Sequence, residues 1–260
     1  ADELIYQDTV ASLYKRSIDL EVVKRTAKRA FIPLTVAGGL KTVDDIRMVL
    51  RSGADKVAIN TSAVANPNLI QEASRMFGAQ CIVASLEVFR KKDGRLEVWV
   101  DYGRQPTGLD ARAWAQKVVE LGAGEIMLTS INNEGTGRGY DLELIREIAT
   151  AVPVPVIACG GAGSATDIVN AAQQTGASAV SAASIFHHYY AKSYAESDLK
   201  DRYYQRSGAQ VDTGNIDFSV HGYGGIREIQ VKPTSIEEVK SSLQSAGVKT
   251  RLISKKASGL

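Results

Sequence analysis

The chain is in part a copy of itself. Residues 32–40 read IPLTVAGGL and residues 154–162 read VPVIACGGA, two proline-led apolar runs that each stop at a glycine pair. Pro33 and Pro155 lie 122 residues apart, and at the same offset Gly38-Gly39 match Gly160-Gly161, Thr42 matches Ser164 and Asp45-Ile46 match Asp167-Ile168. ADELIYQD at 1–8 overlies AGEIMLTS at 123–130, and GADKVAINTSA at 53–63 overlies GASAVSAASIF at 176–186 with one further residue of offset. An internal repeat of this length narrows the choice of architecture more than any single motif does.

Each unit of the repeat has one form: a short apolar run, a glycine or polar turn, then an amphipathic helix. In TVDDIRMVLRSG, Thr42 suits the N-cap and Asp45 the N3 position, Ile46, Val49 and Leu50 share a face, and Gly53 ends the helix. Strands followed by helices in this way imply parallel βαβ units, and their continuous apolar runs suit strands buried on both faces. Seven strands are expected, near 4–8, 32–36, 56–60, 81–87, 125–129, 154–158 and 179–183. Three in the first copy pair with three in the second. The strand in CIVASLEV has no partner, and its partner would fall about 40 residues before Ala1. The expectation is an α/β fold, a (β/α)8 TIM barrel lacking its first βα unit, with barrel strands 2–8 present. It would form a single domain over 1–260, with an insertion at 188–231 between strand 8 and the last helix. A doubly wound open sheet is the alternative, but it would not predict the absent partner. Asp93-Gly94 adds a β-hairpin after barrel strand 5, and Ser235/Glu238 a capping box on the last helix.

Composition excludes several function classes. With 31 basic and 29 acidic residues the formal charge is only +2, which argues against general nucleic-acid or membrane-surface binding. No apolar stretch approaches the roughly 20 residues of a membrane helix. Cys81 and Cys159 stand far apart without a CxxC, as in a reducing, cytoplasmic setting. His187, His188 and His221 have no metal-ligand spacing, so no metal is expected. The opening ADELIYQD lacks a methionine and a signal-like core, and Ala1 reads as a cut in a longer chain.

Strand-to-helix turns can need glycine for geometry alone. Glycine also lets backbone N–H groups approach an anion at a helix N-terminus. Two copies, each followed by a second turn of phosphate-binding type (NTSA and AASI), point to a ligand with two phosphates held at opposite sides of the barrel mouth.

ADELIYQD, FIPLTVAGGL, GADKVAINTSAV, GAGEIMLTSINNEGTGRGYDLELI, VPVIACGGAGS and AASIFHH together resemble the HisA/HisF family, and within it the cyclase subunit of imidazole glycerol phosphate synthase. The resemblance covers 1–188 and returns at 234–252. It implies a lyase of histidine biosynthesis that takes ammonia from a glutaminase (HisH-like) partner and acts on a bis-phosphorylated small molecule, giving imidazole glycerol phosphate and AICAR. No cofactor is implied. By the same resemblance Gly38, Gly39, Asn60 and Thr61 would hold one phosphate, and Gly160, Gly161, Ala183 and Ser184 the other. Asp8, Thr129, Glu134 and Gly135 would complete the substrate site.

The family works with two facing aspartates. The first belongs to the absent strand 1. The second position is Glu87, a glutamate where the pattern has aspartate, and it is the candidate general acid/base. Its other reading is an inward carboxylate held in a salt bridge. Asn132 and Glu134 also stand where the family shows aspartates, Ala37 where a third glycine is common, and Cys159 where serine is common. Glu3, Lys56 and Glu125 match three of four residues of the family's ammonia gate; charges there can equally form a stabilising ring. The departures at 87, 132 and 134 motivate one alternative, a HisF-like paralogue passing ammonia to a sugar nucleotide in surface-glycan synthesis, and the absent first unit motivates another, a non-catalytic phosphate-ligand-binding barrel. The tyrosine-rich stretch 188–231 is expected to be a lid, a subunit contact or a solvated excursion.

Overall fold

A computed structural model describes residues 1–9, 11, 16–196 and 231–251. The strands are β1 (Leu4–Gln7), β2 (Leu34–Ala37), β3 (Lys56–Ile59), β4 (Ile82–Arg90), β5 (Leu96–Val100), β6 (Gln105–Asp110), β7 (Glu125–Ser130), β8 (Val156–Cys159) and β9 (Ala179–Val180). Seven of them run parallel in the order β1-β2-β3-β4-β7-β8-β9, while β5 and β6 fold back antiparallel from β4. Seven parallel strands among the described residues is the number expected, and each overlaps an expected segment. Pro33 and Pro155 lie just before β2 and β8, because proline has no N–H to give the ladder. Among the described residues β1 and β9 each pair on one side only.

The helices are α1 (Leu20–Ala27), α2 (Val43–Arg51), α3 (Thr61–Ala65), α4 (Asn68–Phe77), α5 (Ala111–Glu120), α6 (Leu142–Ala151), α7 (Ala165–Gln174), α8 (Ser184–Glu196) and α9 (Ile236–Ser245). The repeated cap is present in both copies. The Asp45 amide donates to Thr42 Oγ1 (3.1 Å) and the Thr42 amide to Asp45 Oδ2 (2.9 Å). The Asp167 amide likewise donates to Ser164 Oγ (3.4 Å). The Ser235/Glu238 box closes α9 with bonds of 3.1 and 2.8 Å. Each cap satisfies backbone donors that a helix start leaves open, worth about 1 kcal/mol.

Two cores decide between a barrel and an open sheet. The larger lies between the strands and the helices, built from outward residues such as Leu34, Val57, Ile82, Leu86, Ile126 and Leu128 with helix residues such as Ile46, Ile70 and Ile145. The smaller gathers Ala37, Ala58, Val83 and Met127 from four strands, with Ile5 of β1 and Cys159 of β8 packed against it. Helix side chains enter the larger cluster, whereas the smaller one is built from strand residues alone, so the helices cover one face of the sheet and the other face turns inward. The strand order also runs without the reversal of a doubly wound sheet. The described residues therefore form a curled parallel sheet with helices on its outer face, an architecture of the (β/α)-barrel type. Ala37 and Cys159 fill that interior, which accounts for side chains directly before each glycine pair.

The hairpin at Asp93-Gly94 forms, with β4 and β5 in register from Glu87–Trp99 to Arg90–Leu96. The third strand, β6, extends it across a bulge between Glu97 and Trp99. Of the stretch 188–231, residues 188–196 continue α8, and Val231 rejoins the main core. The rest of the proposed insertion, with His221 and any lid, lies outside the described residues.

Candidate active site

Side chains alternate along a strand, so residues two apart share a face. With Val83, Ala58 and Met127 inside the barrel, the same alternation turns Ser85 and Glu87 of β4, Asn60 after β3, and Thr129 of β7 inward. Glu87 sits opposite Thr129 in the parallel register and opposite Trp99 in the hairpin. It is 7% exposed. Its Oε2 accepts a hydrogen bond from the Gly103 amide at 2.7 Å. Burial pushes its pKa up, the Gly103 amide opposes this, the nearby Asp101 and Glu134 add to it, and the result is about 7. A carboxyl at that value is present in both protonation states near neutral pH, as a general acid/base requires. No salt bridge to Glu87 occurs among the described residues.

The first glycine pair lies at the end of β2. Gly38 (φ 103°) and Gly39 (φ 70°) are both left-handed. A Cβ on Gly38 would come within 2.4 Å of the Asp8 carbonyl oxygen, so no side chain fits there. Asp8 closes β1, is buried, and pairs with Arg16 at 2.9 Å. Asn60 stands close enough to Glu87 to favour its charged form, and its Nδ2 donates to the Trp99 carbonyl (3.3 Å). Asn60 thus stands beside the carboxylate, whereas Thr61 begins α3 and its Oγ1 accepts from the Asp101 amide (3.1 Å).

The second pair lies at the end of β8. Gly160 and Gly161 have φ of 90° and 106°. A Cβ on Gly161 would meet the Gly139 carbonyl oxygen at 2.2 Å, and one on Gly160 would meet Glu134 Oε2 at 2.9 Å. Glu134 is exposed at the mouth, yet its carboxylate leans over Gly160. Surrounding protein raises its pKa, an effect that water at the mouth moderates. Gly135 follows with φ 70°, and Ala183 accepts the Phe186 and His187 amides as α8 begins at Ser184. Within the barrel, burial pushes the Cys159 thiol up to about 12, against hydrogen bonds with Ser181 and Thr129.

At the opposite end, Lys56 opens β3 and Glu125 opens β7. Lys56 Nζ donates to Glu125 Oε1 at 2.7 Å and to Glu3 Oε2 at 3.1 Å. Partial burial pulls the Lys56 pKa down, but the two glutamates outweigh it and the ammonium is held above its usual range. The three residues therefore form one ionic cluster across the N-terminal mouth.

Sequence reasoning passed over the turn Asp101–Tyr102–Gly103. Asp101 (φ 52°) and Tyr102 (φ 65°) are the left-handed non-glycine residues among those described. Tyr102 has Glu87, Glu134 and Asp8 as charged neighbours and hydrogen-bonds Thr9; burial and those carboxylates keep its phenol protonated. Asn132 donates to the Arg90 carbonyl and accepts from the Arg90 amide (2.7 Å), a backbone role that explains an amide at that position.

Two glycine-lined turns and a buried carboxyl stand at the C-terminal ends of parallel strands, where enzymes of the (β/α)-barrel class build their sites. A family model described as "Histidine biosynthesis protein" matches residues 1–192, and the chain belongs to that family. It is similar to proteins named imidazole glycerol phosphate synthase subunit HisF. The one from Alkaliphilus metalliredigens is 52% identical over 188 residues, covering 72% of this chain and 75% of that protein. The one from Methanococcus vannielii is 47% identical over 236 residues, covering 83% of each. The Legionella pneumophila protein is 56% identical over 163 residues, covering 63% of this chain and 77% of its own length.

Proposed function

We infer that this chain is the cyclase subunit of imidazole glycerol phosphate synthase, a lyase of histidine biosynthesis. The observation that carries the chemical part of the reading is Glu87, a buried carboxyl with a pKa of about 7 at the end of an inner strand. It would act as general base and general acid in turn while the ring closes and a C–N bond breaks. A substrate with a phosphate at each end would lie across the mouth. One phosphate would sit at Gly38, Gly39 and Thr61, the other at Gly160, Gly161, Ala183 and Ser184, with Asp8, Asn60, Thr129, Glu134 and Gly135 between them. Left-handed glycines beside helix starts support that placement, since they leave backbone N–H groups open to an anion. Ammonia from a glutaminase partner would enter at the opposite mouth, past Glu3, Lys56 and Glu125. A cytoplasmic setting suits such an enzyme, and no described helix is long and apolar enough to cross a membrane.

Replacement of Glu87 tests the reading. In Glu87→Gln, ammonia-driven formation of imidazole glycerol phosphate should fall by roughly 10²-fold or more, the order of a lost acid/base group. Binding of the bis-phosphate substrate, read by calorimetry, should change little. Turnover within twofold of the parent would sink the assignment of Glu87.

A further inference from the structure

We propose that the left-handed turn Asp101–Tyr102–Gly103 is a positioning device for Glu87: it commits one carboxylate oxygen to the Gly103 amide and so aims the other at the reacting substrate. The inference rests on the acid/base reading of Glu87 and adds the residues that hold it.

Three consecutive residues at φ 52°, 65° and 66° are unusual, because a left-handed backbone is unfavourable for a residue as large as tyrosine. Such a conformation persists only when its surroundings dictate it, and here they do. The Asp101 amide is tied to Thr61 Oγ1 at 3.1 Å, which anchors the turn to the start of α3. The Arg104 amide returns to the Val100 carbonyl at 3.1 Å and closes the turn on β5. Gly103 faces Ile131, whose Cδ1 would lie 3.1 Å from a Cβ, so the turn also presses on the loop after β7. The product of these restraints is one short hydrogen bond, from the Gly103 N–H to Glu87 Oε2 at 2.7 Å. Asp101, Tyr102 and Gly103 come from the β5–β6 connection, a different element from the strand that carries Glu87. The other groups facing the carboxyl are Asn60 after β3 and Glu134 after β7. A longer side chain than aspartate has one more torsion to fix, and a backbone donor fixes it.

The experiment has two readings. First, glycine-selective ¹⁵N labelling follows the Gly103 amide through pH 5.5 to 8.5 without substrate, so it does not depend on the assigned reaction. Its proton resonance should move with a single midpoint near neutrality, and Glu87→Gln should abolish that movement. A Gly103 amide that does not titrate overturns the proposal. Second, Tyr102→Asn and Tyr102→Val both remove the ring, but asparagine tolerates a left-handed backbone and a β-branched residue does not. In ammonia-driven turnover the valine variant should lose about tenfold more kcat than the asparagine variant, with KM within twofold between them, and should lose the Gly103 titration that the asparagine variant keeps. Equal kcat and equal titration in the two variants would mean that the conformation of the turn is immaterial, and would likewise overturn it.

Discussion

The two copies of the repeat keep the same cap and the same glycine pair, but different neighbours press on the glycines. Asp8 and Ser130 occupy equivalent strand ends. A Cβ on Gly38 would meet the Asp8 carbonyl at 2.4 Å, whereas one on Gly160 would meet the Ser130 carbonyl at 3.1 Å. In the second copy the tight place has moved one residue on, to Gly161 beneath the Gly139 carbonyl at 2.2 Å. The first copy sets its turn beside an Arg16–Asp8 ion pair, the second beneath the Glu134 carboxylate. The repeat has kept a backbone path and let the contacts around it diverge.

Bulky substitutions at the two tight glycines should give the largest effects. Gly38→Val and Gly161→Val each combine a left-handed φ with a collision against a backbone carbonyl that cannot swing away. Each should destabilise the protein by about 3 kcal/mol or more in urea unfolding. The comparison sharpens with alanine: Gly160→Ala meets the flexible end of Glu134 first and should be milder than Gly38→Ala. If the two alanine variants unfold at the same urea concentration, the proposed asymmetry is wrong.

Between the copies lies β4, which carries Glu87. Its folded pKa of about 7 stands above the usual carboxylate value of 4.5. The unfolded chain therefore releases this proton at lower pH than the folded one. Stability from this group is full below about 4.5, declines as pH rises towards 7, and stays lost above it. Glu87→Gln, which cannot ionise, should gain up to about 3 kcal/mol relative to the parent between pH 4.5 and pH 8. Denaturant midpoints at those two pH values measure the gain, and an unchanged difference would mean that Glu87 is not strongly desolvated.

The smallest effect concerns Glu3 and Glu125, which are also repeat equivalents. The side chain of Glu3 is 44% exposed and that of Glu125 only 19%. Glu125→Gln should cost about 1 kcal/mol, and Glu3→Gln about half that or less, because solvent already screens the outer pair. Equal losses would show that both copies contribute alike at this mouth.

The repeat itself was legible, and with it the strands, the Thr42 and Ser164 caps and the inner position of Glu87. These follow from local rules: apolar runs, cap chemistry and period-two alternation. The same alternation, run from Lys56 through Ala58, turns Asn60 inward beside Glu87, a neighbour that the sequence reading had not named for it. β6 was not legible because QPTGLD carries a proline and a glycine, which read as loop. An edge strand tolerates Pro106, and among the described residues β6 pairs on one side only. The turn at 101–103 was hidden for a stronger reason. Nothing in Asp-Tyr-Gly asks for three left-handed residues; contacts from Thr61 and Ile131, far away in the chain, impose them.

Lys56 has a further consequence. One ammonium is shared by two glutamates that duplication placed symmetrically, and the position in the second copy equivalent to Lys56 is Ala179. A single cation between two anions has two alternative partners. It can release Glu125 while still held by Glu3, so it need never be stranded without a partner. Had duplication kept a second lysine, the two cations and two carboxylates would balance and neither ammonium would have a spare partner.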